Sequence, residues 1–317
     1  MTATLSLTAA PGRVGAYARL AKLDVWDYYL ALPLAWSLAG AAAWFTPAVL
    51  GTLAAFGVGT VCVVSAAVAF DDVTGHRDGS DAANYGPDAP ARKLARKPLL
   101  TGELAEADAI RFGWAAASAG ALLWALAAVL APFSALWTVG LLALCLVTAV
   151  QYSWGVKLSY HGWQEVFLAG FGVGLVLVGV GLTAGAPSEF AVVQSVLFGL
   201  GPLLFGVYSN TRDADGDAAV GRKTAAVLLS RQGNKAFIVA LTLAEIALIV
   251  TAAGLGAAPW WFAIAMAPAV FLRVAQLRRG VGLGDLLRAR LLGLWAHRAT
   301  VATLIAINLT IALGARP

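Results

Sequence analysis

Long apolar runs alternate with short polar breaks along nearly the whole chain. Nine runs stand out, at 25–45, 47–70, 108–131, 133–153, 164–185, 189–209, 235–256, 259–276 and 294–314. Each is about 18–24 residues, enough for one helical crossing of a bilayer core at 1.5 Å per residue. The breaks after the first, third, fifth and seventh runs are short and carry Pro47, Pro132, Pro187 and Pro259, all acceptable at a helix start. The breaks on the other side are longer and charged. The pattern predicts an all-α polytopic membrane protein with nine transmembrane helices.

Composition agrees. Of 317 residues, 60% are hydrophobic and only 12% charged, against roughly a quarter charged in soluble domains. The mean hydropathy is +0.78. The abundant glycine (34 residues) suits close helix packing in lipid. Cys62 and Cys145 lie inside apolar runs and read as small buried residues, and His76, His161 and His297 lack metal-ligand spacing. Among the 22 Lys and Arg residues, all but Arg316 fall in the N-terminus or in and immediately around the breaks on one side. The positive-inside rule makes that side cytoplasmic, with the N-terminus inside and the C-terminus outside a bacterial-type plasma membrane. The N-terminus lacks a signal-peptide pattern, and residues 13–24 read as a short amphipathic helix on the membrane surface. The expected organisation is one domain over 1–317: a cytoplasmic N-terminus (1–24) and two long cytoplasmic active-site loops, 71–107 and 210–234. The expected partners are the bilayer and a lipid-like substrate, and not nucleic acid.

Two acidic stretches at that face carry the candidate chemistry. In the first, an apolar run ends at Asp71 and Asp72, followed by Asp78, Asp81 and Asp88, and then by Arg92, Lys93, Arg96 and Lys97. Carboxylates at the end of an apolar helix are costly without a partner and read as functional. In the second, Asp213 and Asp217 are four apart and share one helix face, while Asp215 points elsewhere as a solvated or capping residue. Oxygen-only ligation suits Mg²⁺, which takes one or two carboxylates and completes its shell with water and substrate phosphate. The candidate ligands are Asp71, Asp72, Asp78, Asp81, Asp213 and Asp217, with Asp78 alternatively paired to a cation. Arg77, Arg96, Lys97, Asn210, Arg212, Arg222 and Lys223 are placed to meet phosphate oxygens. The run 92–97 is either a short helix over the site, a positive-inside anchor, or both. Acid and base together at a lipid-facing cavity imply a polyanionic head on a long apolar tail, which an isoprenyl diphosphate fits. Aromatic faces would stabilise the allylic cation left when diphosphate departs.

At these residues the chain resembles the UbiA-type intramembrane prenyltransferases over nearly its whole length. The family's Asn-Asp-x-x-Asp with a further Asp downstream is matched by Asp71-Asp72-x-x-Gly75 and Asp81. Its Asp-x-x-x-Asp followed by Gly and a basic pair with Thr is matched by Asp213, Asp217 and Gly221-Arg222-Lys223-Thr224. Lys97-Pro98-Leu99-Leu100-Thr101-Gly102 looks like the turn after the first motif. Residues 152–172 look like the corresponding stretch of the branch that prenylates dihydroxynaphthoate for menaquinone. The resemblance implies nine helices around a central cavity, with short cytoplasmic cap helices, Mg²⁺ as cofactor and an isoprenyl diphosphate substrate. It puts Tyr152 and Lys157 near the diphosphate as catalytic residues beside Asp72, Asp81, Asp213 and Asp217, and Glu165 near the cavity mouth. The chain departs from the family in having Asp71 for Asn, Gly75 for Asp, and Ser153-Trp154-Gly155-Val156 for a glycine-rich turn. Two outcomes of the same ionisation stay open: transfer to an acceptor, aromatic in the usual case, or cyclisation of the chain on itself as in UbiA-type terpene cyclases. A two-halved transporter needs charges or broken helices at mid-membrane, where the sequence offers only Gln194, Glu245 and Asn308.

Overall fold

A computed structural model describes residues 12–23, 26–85 and 94–314. The described residues are helical, with no strand. In chain order the helices are α1 (Arg13–Leu20), α2 (Ala31–Leu38), α3 (Pro47–Arg77), α4 (Ser80–Tyr85), α5 (Glu106–Leu130), α6 (Leu136–Gln151), α7 (Gln164–Thr183), α8 (Glu189–Ala219), α9 (Ala225–Leu228), α10 (Arg231–Gly254), α11 (Phe262–Ala265), α12 (Ala267–Leu277) and α13 (Leu286–Ala312).

Six of these, α3, α5, α7, α8, α10 and α13, are long and apolar enough to cross a membrane. The other three expected crossings are shorter or interrupted, for local reasons. Run 25–45 holds a single 3₁₀ turn and α2, which stops before Gly40 at φ 83°. Run 259–276 breaks at Met266, where Pro268 in the first turn of α12 has no N–H to continue α11. The 133–153 run yields the 16-residue α6. Two helices instead outlast their apolar runs. Both α3 and α8 have 31 residues, and each carries an acidic stretch on its final turns rather than on a loop beginning at 71 or 210.

Helix starts follow ordinary capping chemistry. Thr46, Ser188 and Ser230 accept hydrogen bonds from the backbone N–H groups of Val49, Ala191 and Gly233. The bundle then closes by pairing: α3 along α5, α7 along α8, α8 along α13 and α12 along α13. Small residues set the α3–α5 distance. A Cβ on Gly120 would meet Val63 at 2.6 Å, and one on Gly59 would meet Trp124 at 2.5 Å. Buried polar groups lock other pairs. Asn308 on α13 exchanges hydrogen bonds with Gln194 on α8 (2.8 and 2.9 Å) and donates to Ser37 on α2 (2.9 Å). Glu245, unexplained by the sequence pattern, accepts two hydrogen bonds from the buried Arg273 guanidinium, at 2.6 and 2.9 Å. Arg273 also reaches Gln276, which donates to the Leu204 carbonyl.

The N-terminal helix docks on the bundle through part of its apolar face: Ala16 and Leu20 pack with Val73, Leu99, Leu104 and Ala109, while Val14 and Leu23 stay exposed. Arg13 pairs with Asp108 at 2.8 Å, and Arg19 pairs with Glu103. Residues 24–25 lie outside the described part, as do Asp88, Arg92, Lys93 and Arg316.

Candidate active site

The two acidic stretches meet at one end of the bundle. Helix α4, which bears Asp81 of the first stretch, packs on the last turns of α8, where a Cβ on Gly216 would meet the Asn84 amide at 3.0 Å. Arg222, three residues past the end of α8, donates to Asp71 Oδ1 on α3 at 2.9 Å, across 151 residues of sequence. Its guanidinium lies 5.0 Å from the Tyr160 ring centroid. Asp71 also accepts from Ser153 Oγ at 2.8 Å, and Thr74, one turn below, donates to the Ser153 carbonyl at 2.6 Å.

Asp72 lies deeper and is 1% exposed. Its Oδ1 is 2.7 Å from Lys97 Nζ and 2.9 Å from Lys22 Nζ, while its Oδ2 is buried with no hydrogen-bond partner. Lys97 is itself buried and spans to Asp81 at 2.7 Å. Burial alone would lower the Lys97 ammonium, but the carboxylates of Asp72, Asp81 and Asp71 outweigh it and hold the group above its ordinary value. The proline after Lys97 and the turn 98–101 fix its backbone, and Thr101 N–H closes onto the Lys97 carbonyl at 3.1 Å. Gly75, standing one turn past Asp71, faces the Asp81 carboxyl group: a Cβ there would meet it at 2.8–3.0 Å. The space of the missing carboxylate is thus taken by the Asp81 side chain.

Other sequence-predicted residues surround this centre. Asp78 caps the turn after α3 by accepting from Ser80 N–H at 2.9 Å, and it accepts a short hydrogen bond from the Tyr160 hydroxyl. Burial and the Asp78 carboxylate hold the Tyr160 phenol above its ordinary value. Lys157 adopts φ 54° and its ammonium lies 5.3 Å from the Tyr160 ring centroid. Asn210 bridges α7 and α8, donating to Glu165 at 2.9 Å and accepting from Gln164 at 2.8 Å. Glu165 also accepts from Ala225 N–H at 3.0 Å, so it caps α9 and fixes the loop that bears Arg222. On α8, Asp217 is buried, Asp213 lies 3.3 Å from Arg212, and Asp215 is exposed. Asp217 also accepts the Arg222 backbone N–H through its carbonyl, at 2.8 Å. Arg96 and Arg212 lie near Arg290 on α13.

Two other candidate cations complete the set. Arg77 donates two hydrogen bonds to Glu106, at 2.8 and 3.1 Å, and lies 5.2 Å from the Trp154 ring centroid. Lys223 is exposed. Conversely, Lys22, Ser153 and Tyr160 hold site carboxylates without having been singled out from the sequence as site residues. Lys22 offered one signal, an isolated cation at the end of an amphipathic segment. Its φ of 48° turns the side chain toward Asp72.

Below the polar cluster runs an aromatic wall. Tyr152 stacks on Phe167 at 4.6 Å between centroids, Phe167 on Phe171 at 5.3 Å, and Phe171 meets Tyr28 edge-on at 5.4 Å. The arrangement can hold an anionic head among lysine, arginine and carboxylate groups while an apolar tail lies against ring faces.

No curated protein matches the sequence. Solved structures do match in fold. A UbiA homologue from Aeropyrum pernix K1 superposes with a TM-score of 0.65 at 20% identity, covering 88% of this chain and 97% of that one. A digeranylgeranylglyceryl phosphate synthase gives 0.64 at 13% identity, covering 94% and 99%. A UbiA homologue from Archaeoglobus fulgidus, bound to DMAPP and Mg²⁺, gives 0.60 at 13% identity, covering 91% and 98%. The profile of the UbiA prenyltransferase family matches residues 30–285, well over half of the sequence, and the chain belongs to that family.

Proposed function

We propose that this protein is an intramembrane, Mg²⁺-dependent enzyme that ionises an isoprenyl diphosphate and transfers the prenyl group to an acceptor, aromatic in the first instance. The observation that carries the reading is the Arg222–Asp71 contact, which joins two acidic stretches remote in sequence into one charged site above an aromatic wall. The family membership and the Archaeoglobus homologue's bound DMAPP and Mg²⁺ support it.

The residues fit a metal that arrives with its diphosphate. All candidate donors are carboxylate oxygens, and Asp72 Oδ2 is buried without a partner. Among the described residues no group of three or more acidic, His or Cys side chains is preassembled, so phosphate oxygens are needed to complete a shell. Asp72 and Asp81 on one side and Asp213 and Asp217 on the other would hold the ion, with Asp71 and Asp78 positioning their surroundings. Bound there, it supplies charge neutralisation to the departing diphosphate. Lys97, Lys22 and Arg222 offer their N–H groups to phosphate oxygens. Tyr152, Phe167 and Phe171 exclude water from the reacting carbon and present ring faces to positive charge. The C1–O bond breaks with its electron pair going to diphosphate; the acceptor carbon bonds to C1 and then loses a proton.

A second reading is cyclisation of the prenyl chain without an acceptor. The observation favouring it is the altered first motif, with Asp81 occupying the space beside Gly75.

The reading extends to architecture: one domain with nine crossings, counting 27–38, α6 and α11–α12 beside the six long helices, and α4 and α9 as caps. The site faces the cytoplasm of a bacterial-type plasma membrane, with the N-terminus inside and the C-terminus outside, as the side bearing nearly all Lys and Arg requires.

The deciding experiment incubates purified protein with Mg²⁺ and C10, C15 or C20 isoprenyl diphosphates, with and without aromatic acids. A prenylated aromatic product supports transfer. A hydrocarbon or terpene alcohol without acceptor decides for cyclisation. Absence of diphosphate release under all conditions overturns both.

A further inference from the structure

A cavity of about 450 Å³ opens between α12 and α13, apart from the acidic stretches. Phe271 and Val274 on α12 and Arg278 directly after its last residue fall at i, i+3 and i+7, one stripe along the helix and the π-helical turn that continues it. The stripe runs from apolar to cationic over about 10 Å of helix rise. On α13, which runs back from the turn, Arg288 comes first and Leu292 stands one turn deeper. Arg279, in the π-helical turn Arg278–Gly282, completes the rim. Both helices therefore present guanidinium groups at one end of the cavity and apolar side chains further in. Phe271 is 74% and Val274 50% exposed, so the apolar part opens outward.

The guanidinium groups of this rim are not held in ion pairs. Arg13, Arg19, Arg77, Arg111, Arg212, Arg222, Arg273 and Arg298 each pair with a carboxylate. Among the described residues, Arg278, Arg279 and Arg288 form no such ion pair, and no acidic side chain lines the cavity. The adjacent Asp285 is used as the N-cap of α13, accepting from Arg288 N–H at 3.0 Å. The turn also has a fixed place. A Cβ on Gly280 would meet the Tyr208 ring at 1.9 Å, so the rim sits at the end of the bundle where α8 carries its acidic stretch.

We infer that this cavity is a binding site for one anionic phospholipid. The phosphate-bearing head lies among Arg278, Arg279 and Arg288, and an acyl chain runs along Phe271, Val274 and Leu292. The graded stripe on both helices selects a lipid over a free anion, because only a molecule with a head and a tail fills both ends. Its occupant comes from the leaflet at the same end of the protein as the candidate active site.

The test uses full-length protein in non-ionic detergent, with phosphatidylglycerol or phosphatidylcholine added and retained lipids counted by native mass spectrometry. Wild-type protein should retain one phosphatidylglycerol per chain, with a preference on the order of 100-fold over phosphatidylcholine and about fivefold lost for each arginine removed. R278Q/R279Q/R288Q should abolish the preference. Arg288 is exposed, so R288Q alone supplies a folded variant in which the fivefold loss can be read. Excess inorganic phosphate should leave the lipid bound. Equal retention of the two lipids, an unchanged preference in the variants, or displacement by phosphate alone would each overturn the assignment.

Discussion

Replacing Lys97 by methionine removes the cation that spans Asp72 and Asp81 while leaving the volume of the side chain nearly intact. The Lys97 side chain is 5% exposed, and its two partners are 1% and 12% exposed. Breaking a buried ion pair from one side costs roughly 3–5 kcal/mol, because the other charge stays buried. Here Lys22 remains 2.9 Å from Asp72 and covers one of the two carboxylates, so the expected loss lies at the lower end, about 3 kcal/mol. Adding D81N removes the carboxylate left uncovered, and the double variant should recover more than half of that loss, since the two sites share one interaction. The assay is an unfolding titration in mixed detergent micelles, run on wild type, K97M, D81N and the double variant. Turnover supplies an independent readout. Loss of one preorganised donor to a departing anion lowers kcat by roughly 10²–10³, and stability restored by D81N should not restore it. A K97M protein as stable as wild type, or strictly additive effects of K97M and D81N, would refute the reasoning.

Two further outcomes follow from the packing. R273M should be destabilised by roughly 3–5 kcal/mol in the same titration, since the Glu245 carboxylate would be left buried, and R273M/E245L should regain most of it. G75D restores a carboxylate at the position where a Cβ meets Asp81 at 2.8–3.0 Å; without divalent metal its thermal midpoint should fall below wild type, and added Mg²⁺ should raise it more than it raises wild type.

Much of the fold is legible in the sequence because apolar length is a strong signal in lipid. The runs that become α3, α5, α7, α8, α10 and α13 need no tertiary information. The ends of α3 and α8 do. Hydropathy falls at Asp71 and again near Asn210, yet the backbone ladder continues to Arg77 and Ala219, because a helix needs apolar residues only where lipid surrounds it. The breaks in the first and eighth runs depend on single residues, Gly40 and Pro268, which a window average hides.

The candidate site divides the same way. The residue types and the spacing of Asp213 and Asp217 can be read directly, and so can the juxtaposition of acid and base around Lys97. The partners cannot. Lys22 reaches Asp72 and Arg222 reaches Asp71 only through the closed bundle. Glu245 pairs with Arg273, 28 residues away in sequence, and spacing alone does not reveal that partner. Arg77, a candidate for phosphate, pairs with Glu106, a partner its own sequence neighbourhood does not reveal.

The central claim is that both acidic stretches serve one diphosphate. Release of inorganic diphosphate from isoprenyl diphosphates by purified protein in Mg²⁺ tests it directly, comparing wild type with D72A and D213A, each first verified as folded in detergent. The account predicts Mg²⁺-dependent release by wild type that chelation stops, and none above background from either variant. Full activity in D72A or in D213A would contradict it.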